Sequence, residues 1–286
     1  MSLNLEKGTA IAYVNGGEIN GEIIYVDTNK QSEHISSDDE RYEYEYDSED
    51  ETFSDQDESE NTYSSDRIKI KDGLLEPIID PSKRSIYYVC GKSGSGKSTF
   101  AAHLAMNYSR MYPENNIYLF SVLESDQAFD EMIPNIIKKI PIDENILDID
   151  FNNDFGNEGT LVIFDDIDTE NNKELAKAIA NLKDKIMELG RHKNISMILI
   201  SHLINPKKAS ATTNNTQTIM NEMTHLVIFP NGGGSRKQQA YCLENYLGYD
   251  SKEIKTILKL PSRWVVASNT YPQYVMYDHG IMLEIE

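Results

Sequence analysis

The sequence predicts an α/β fold, a mostly parallel sheet flanked by helices, with an acidic insert ahead of it. Two observations carry this reading. From position 67 onward, short apolar runs alternate with segments of helical period, the pattern that builds a parallel sheet from strand–helix–strand units. Before that point, residues 33–66 hold fifteen acidic side chains against one basic residue, Arg41. This stretch lacks an apolar stripe and repels itself, so a disordered linker is expected there.

The 286-residue chain has a formal net charge of −20, and fifteen acids less one base put −14 of it in the insert. That balance argues against a plain basic nucleic-acid-binding domain. Two cysteines, Cys90 and Cys242, are too few for a disulfide framework and point to a reducing, cytoplasmic setting. No run approaches the roughly 20 apolar residues of a membrane span, and the first ten residues carry no signal stretch. No membrane partner is expected.

The elements follow in order. Within a first segment, 1–32, AIAYV, an Asn15-Gly16-Gly17 turn and EIIYV predict a small β hairpin over 9–26. The acidic linker covers 33–66, and the working domain covers 67–286. Its apolar run at 85–90 leads into Gly91-Lys92-Ser93-Gly94-Ser95-Gly96-Lys97-Ser98, then Thr99 and the helix former AAHLAMNY. This is a complete strand, phosphate loop and helix, which makes the domain a P-loop nucleotide binder.

The chemistry needs these residues at this spacing. Gly91, Gly94 and Gly96 free the backbone so that successive amides turn inward around a phosphate at a helix N-terminus. Lys92, Ser93, Ser95 and Thr99 complete the cradle. Lys97 adds a charge between the β- and γ-phosphates of ATP, and the Ser98 hydroxyl can join the shell of Mg2+.

Residues 116–122, NIYLFSV, read as a strand. A further apolar strand, LVIF at 161–164, ends in Asp165 and Asp166. Asp165 is expected to hold Mg2+ and Asp166 to orient or deprotonate the attacking water, the alternative for Asp166 being a helix cap. Apolar positions 175, 179, 182, 186 and 189 predict an amphipathic helix over 170–189, capped by Asp168 or Thr169 and stopped by Gly190. The continuous apolar run 195–200 is a strand buried on both faces, ending in Ser201-His202, which would face the γ-phosphate.

Arg191 emerges from the turn before that strand. It can reach the γ-phosphate of a neighbouring subunit, or serve as an ordinary cation at a helix C-terminus. A fifth run lies at 225–229, and Arg236-Lys237 follow a glycine-rich loop that could meet a polymer backbone. Near the end, 262–266 and 273–277 read as paired strands, with Trp264 packed and Arg263 a second candidate phosphate sensor.

Taken in order, the phosphate loop, the Asp165-Asp166 strand, the GRHKNIS turn at 190–196 and the MILISHL strand resemble a viral group. They look like the poxvirus-type genome-packaging ATPases of large eukaryotic DNA viruses, within the FtsK/HerA translocase superfamily. The resemblance spans about 80–285. It implies a RecA-like core with an additional strand, a homo-oligomeric ring, and ATP hydrolysis coupled to threading double-stranded DNA into a capsid. Capsid proteins would be partners, and the host cytoplasm, a viral factory or the virion the location. In that family a polar residue, often Gln, ends the strand that here ends in Ser201-His202.

Other readings were weighed on the same residues. A GTPase would carry N-K-x-D, and Asn172-Lys173-Glu174-Leu175 lacks the aspartate. A nucleotide or small-molecule kinase is open, although 124–154 has no arginine to line a lid. So is a scaffold that binds ATP, hydrolyses it poorly and recruits partners through the acidic insert.

Overall fold

A computed structural model describes residues 1–28, 62–132, 136–155, 159–202, 216–283 and 285. Its strands and helices, in chain order, begin with β1 (Ser2–Asn4), β2 (Thr9–Asn15), β3 (Ile23–Asp27), β4 (Thr62–Tyr63), β5 (Arg67–Lys69), β6 (Leu74–Pro77) and β7 (Ile86–Cys90). Then come α1 (Lys97–Met111), β8 (Ile117–Ser121), α2 (Gln127–Met132), β9 (Lys138–Pro141), β10 (Leu161–Asp165), α3 (Lys173–Leu189) and β11 (Ser196–Ser201). The last are α4 (Thr216–Glu222), β12 (His225–Ile228), α5 (Arg236–Leu247), α6 (Ser251–Ile257), β13 (Val265–Ser268), β14 (Val275–Tyr277) and β15 (Gly280–Met282).

The large sheet has the order β4-β5-β15-β14-β13-β12-β7-β11-β10-β8-β9. From β12 to β9 every neighbour pair is parallel, and the strands on the other side of β12 are antiparallel. One strand, β11, therefore lies between the strand that feeds the phosphate loop and the strand that ends in Asp165. This is the additional-strand arrangement that the family resemblance implies, on a mostly parallel RecA-like sheet. Successive residues of the buried strands point to opposite faces, so each strand feeds two apolar layers. Tyr88 and Phe164 pack with Ile179 and Ile186 of α3, while Val89 and Ile163 pack with Phe100 and Leu104 of α1.

The small sheet, order β1-β3-β2-β6, covers the α1 side. Its Ile11, Val14 and Ile24 belong to the same apolar cluster as Phe100 and Leu104. Each such burial is worth about 1.5–3 kcal/mol. Glu76 of β6 adds a polar tie, accepting at one carboxylate oxygen from Asn15 of β2 and at the other from Asn107 of α1, both at 2.8 Å.

Several expectations change on this fold. The hairpin read at 9–26 is the centre of a sheet that recruits β6 from beyond position 67, so the small sheet does not end at 32. Most of the linker expected over 33–66 lies outside the described residues, up to position 61. Its last part is ordered, because Thr62 and Tyr63 pair with Lys69 and Ile68. The cap of α3 is Asn172, whose side chain accepts from the amides of Glu174 and Leu175, not Asp168 or Thr169. The helix does end at Leu189 with Gly190 as its C-cap, though not by a left-handed turn at that glycine. Gly190 stays right-handed and opens a 3-10 turn that ends at left-handed Asn194, and its missing Cβ admits the Arg84 guanidinium, whose nitrogens lie 3.2 and 3.3 Å from where a Cβ would stand. Leu189 is 45% exposed and leaves the core stripe.

Candidate active site

Register aligns the functional ends of four parallel strands. Cys90 of β7 pairs with Ser201 of β11, while Asp165 of β10 pairs with Ile200 of β11 and Ser121 of β8. The loop after β7 thus stands beside the carboxylates after β10, with the end of β11 between them. The Gly91 amide donates to the Ser201 carbonyl at 3.2 Å and fixes the loop's entry.

Gly94 has φ +76° and Gly96 φ +107°, conformations that other residues adopt only with strain. Gly96 is the N-cap of α1 and no side chain caps it. The first amides of a helix have no partner inside it, so these donors and the helix dipole are left for an anion. Lys92, Ser93, Gly94 and Thr99 are exposed, Ser98 is half-buried and Ser95 is buried.

Lys97 is buried, with its ammonium 3.3 Å from the Lys92 carbonyl and 3.3 Å from His202 Nδ1. Burial pulls its pKa down, while Asp166 and Asp165 push the other way. His202 Nε2 lies 3.0 Å from Asp166 Oδ1, close enough for an ion pair but outside hydrogen-bond geometry. Asp166 itself is left-handed, φ 50°, which turns its side chain out of the strand direction and into the cleft.

Asp165 is 1% exposed, and neither carboxylate oxygen has a hydrogen-bond partner. Burial first, then the charges of Asp166 and Asp126, raise its pKa to about 7. A buried carboxylate without partners is costly, and a divalent cation removes that cost. The residues therefore fit Mg2+, with Ser98 lining the cleft beside the neighbouring Asp166. No cluster of three His, Cys, Asp or Glu stands among the described residues, so phosphate and water oxygens would complete such a shell.

Loop, carboxylates and α2 enclose a cleft of about 600 Å³ that Ser93, Lys97, Ser98, Asp166 and His202 line. Of the expected residues, Asp165, Ser201, Arg191 and the loop residues Gly91, Lys92 and Ser95 do not line it. Ser201 is buried and its hydroxyl donates to Asp168 at 3.3 Å, so His202 alone presents a side chain there. Arg191 is exposed in the turn before β11, and six residues of strand, about 16 Å, separate it from this chain's loop. It cannot act on its own site. Arg263 does line the cleft, donating to the Ser95 carbonyl at 2.9 Å and the Gly94 carbonyl at 3.3 Å. Asp126, at the start of α2, also lines the cleft, and no sequence signal marked it.

Fold and site together define the class: a P-loop ATPase with an additional central strand. Residues 84–226 match the family model described as the poxvirus A32 protein. The chain belongs to this family. It is 34% identical over 221 residues to uncharacterized protein V3 of Sputnik virophage, covering 77% of this chain and 86% of that one. Among solved structures it is similar to the genome packaging NTPase B204 of Sulfolobus turreted icosahedral virus 2 in complex with AMPPCP, with a TM-score of 0.46 and 11% identity over 70% of this chain and 98% of that one. The pCW3 conjugation coupling protein TcpA with ATPγS aligns at a TM-score of 0.45 and 12% identity over 94% of this chain and 77% of that one.

Proposed function

We propose that the protein hydrolyses ATP in the presence of Mg2+ and couples turnover to moving viral double-stranded DNA into a capsid, as a ring of identical subunits. The observation that carries the catalytic part is the phosphate loop facing Asp166 across one cleft, with Lys97 and His202 between them and the buried Asp165 one residue away. Family membership supports the packaging part. The amides of 91–97 hold the phosphates, and Lys97 neutralises charge that develops on the β–γ bridge. Ser98 and Asp165 would hold Mg2+, which would supply charge neutralisation to the phosphates. Asp166 orients the attacking water and takes its proton, and His202 keeps Asp166 aimed. Arg191, remote from its own site, completes that of the next subunit.

The test is steady-state phosphate release with and without double-stranded DNA, beside a mass measurement of the assembly. DNA-stimulated turnover in a ring is expected. No release, or phosphate appearing on a small acceptor, overturns the reading. For Arg191, mixing Arg191→Ala with wild-type subunits is expected to depress activity more than in proportion, and strict proportionality removes it from the site.

A further inference from the structure

A second cavity, of about 230 Å³, adjoins the phosphate cleft and shares Gly96, Thr99 and Arg263 with it. Its floor is the outer face of α1, where Thr99 and His103 are four residues apart and so lie on one side of the helix. Its walls are Trp264, Phe229 and the β6 strand of the small sheet. Trp264 is half-buried, with its ring edge-on to Phe100 at a centroid distance of 5.3 Å.

The chemistry of this cavity selects one end of a nucleotide. Glu76 and Asp278 line it, which disfavours a second anion, while the aromatic walls favour a flat neutral group. One polar atom inside lacks a partner: His103 Nδ1 is buried and makes no hydrogen bond. The Glu76 oxygens, in contrast, are occupied by Asn15 and Asn107.

We propose that this cavity is the base subsite, in which the adenine of a nucleotide held by the phosphate loop packs against Trp264 and meets His103, under a roof formed by the N-terminal sheet. The proposal rests on the ATP reading above and adds that residues 74–77, which precede the loop in the chain, are part of the nucleotide site. A base ring against an aromatic side chain contributes about 1–3 kcal/mol by truncation, or about 5- to 140-fold in affinity.

Trp264 is the only tryptophan of the chain, so its fluorescence reports on this cavity alone. The experiment titrates ATP and inorganic tripolyphosphate, each with Mg2+, following heat and Trp264 emission on the intact protein. Both ligands are expected to give heat, and only ATP to change the emission. His103→Leu is expected to weaken ATP about tenfold and leave tripolyphosphate unchanged. ATP binding with unaltered emission, equal emission changes from both ligands, or equal weakening of both by His103→Leu overturns the base subsite while the ATP reading stands. Absence of heat from either ligand overturns both.

Discussion

Lys97 meets three demands at once: it is buried, it lies within hydrogen-bond reach of a loop carbonyl and of His202, and two carboxylates face it. Its charge is kept by Asp165 and Asp166 against the pull of burial, so removing it leaves those carboxylates opposed to the incoming triphosphate. Lys97→Ala is expected to lower phosphate release by at least about 100-fold, measured under ATP saturation. Asp166→Asn keeps the shape and loses the proton acceptor. Turnover should fall by about 10²–10⁴-fold while calorimetry still detects ATP. A variant that turns over normally removes Asp166 from the role of base. These residues were legible because loop and acidic strand each carry their chemistry within a few consecutive positions. His202 was legible only as one of two neighbours, since strand alternation, set by register, decides that it and not Ser201 faces the cleft.

At the scale of elements, the phosphate loop is held from outside as well as by its own glycines. Arg263, on the segment leading into β13, binds two loop carbonyls. Charge-assisted bonds of this kind are worth about 1.5–3 kcal/mol each. Arg263→Ala is expected to raise KM for ATP about tenfold or more, beside a fall in thermal midpoint that reflects the two lost bonds. A drop in melting temperature without a KM change would assign it a structural role only. Nothing in the sequence joins position 263 to 94–95, because the contact is made by the sheet returning antiparallel through β13. The same limit applies to α3. Its apolar period was readable, but Asn172 won the cap over Asp168 because Asp168 is engaged by Ser201.

Across the whole molecule, β12 joins the parallel and antiparallel halves of the large sheet, and His225 sits at that seam. Its ring stacks on Tyr87 at 4.2 Å and is inclined by 4°, Nε2 lies 2.9 Å from the Tyr274 hydroxyl, and Nδ1 lies 2.8 Å from Thr224 Oγ1. Burial pulls its pKa down to about 3, so the folded protein keeps it neutral where an unfolded histidine, near 6.5, takes a proton. The unfolded chain then binds more protons as pH falls. This group's contribution is complete above about pH 6.5 and is lost below it, by about 2 kcal/mol between pH 7 and 5. Urea midpoints should fall over that window, and His225→Phe should flatten the slope; an unchanged slope rules this histidine out as the cause. The small sheet was legible only as a hairpin, since β1 and β6 are too short to announce themselves and are recruited by the apolar face they help to cover. One strand connects the two edges of the molecule. β11 is buried on both faces and bonded on both sides, runs from the Arg191 turn to the His202 tip, and has no room to buckle in a close-packed interior. A load applied at the Arg191 turn would therefore reach the His202 tip with little lost to bending.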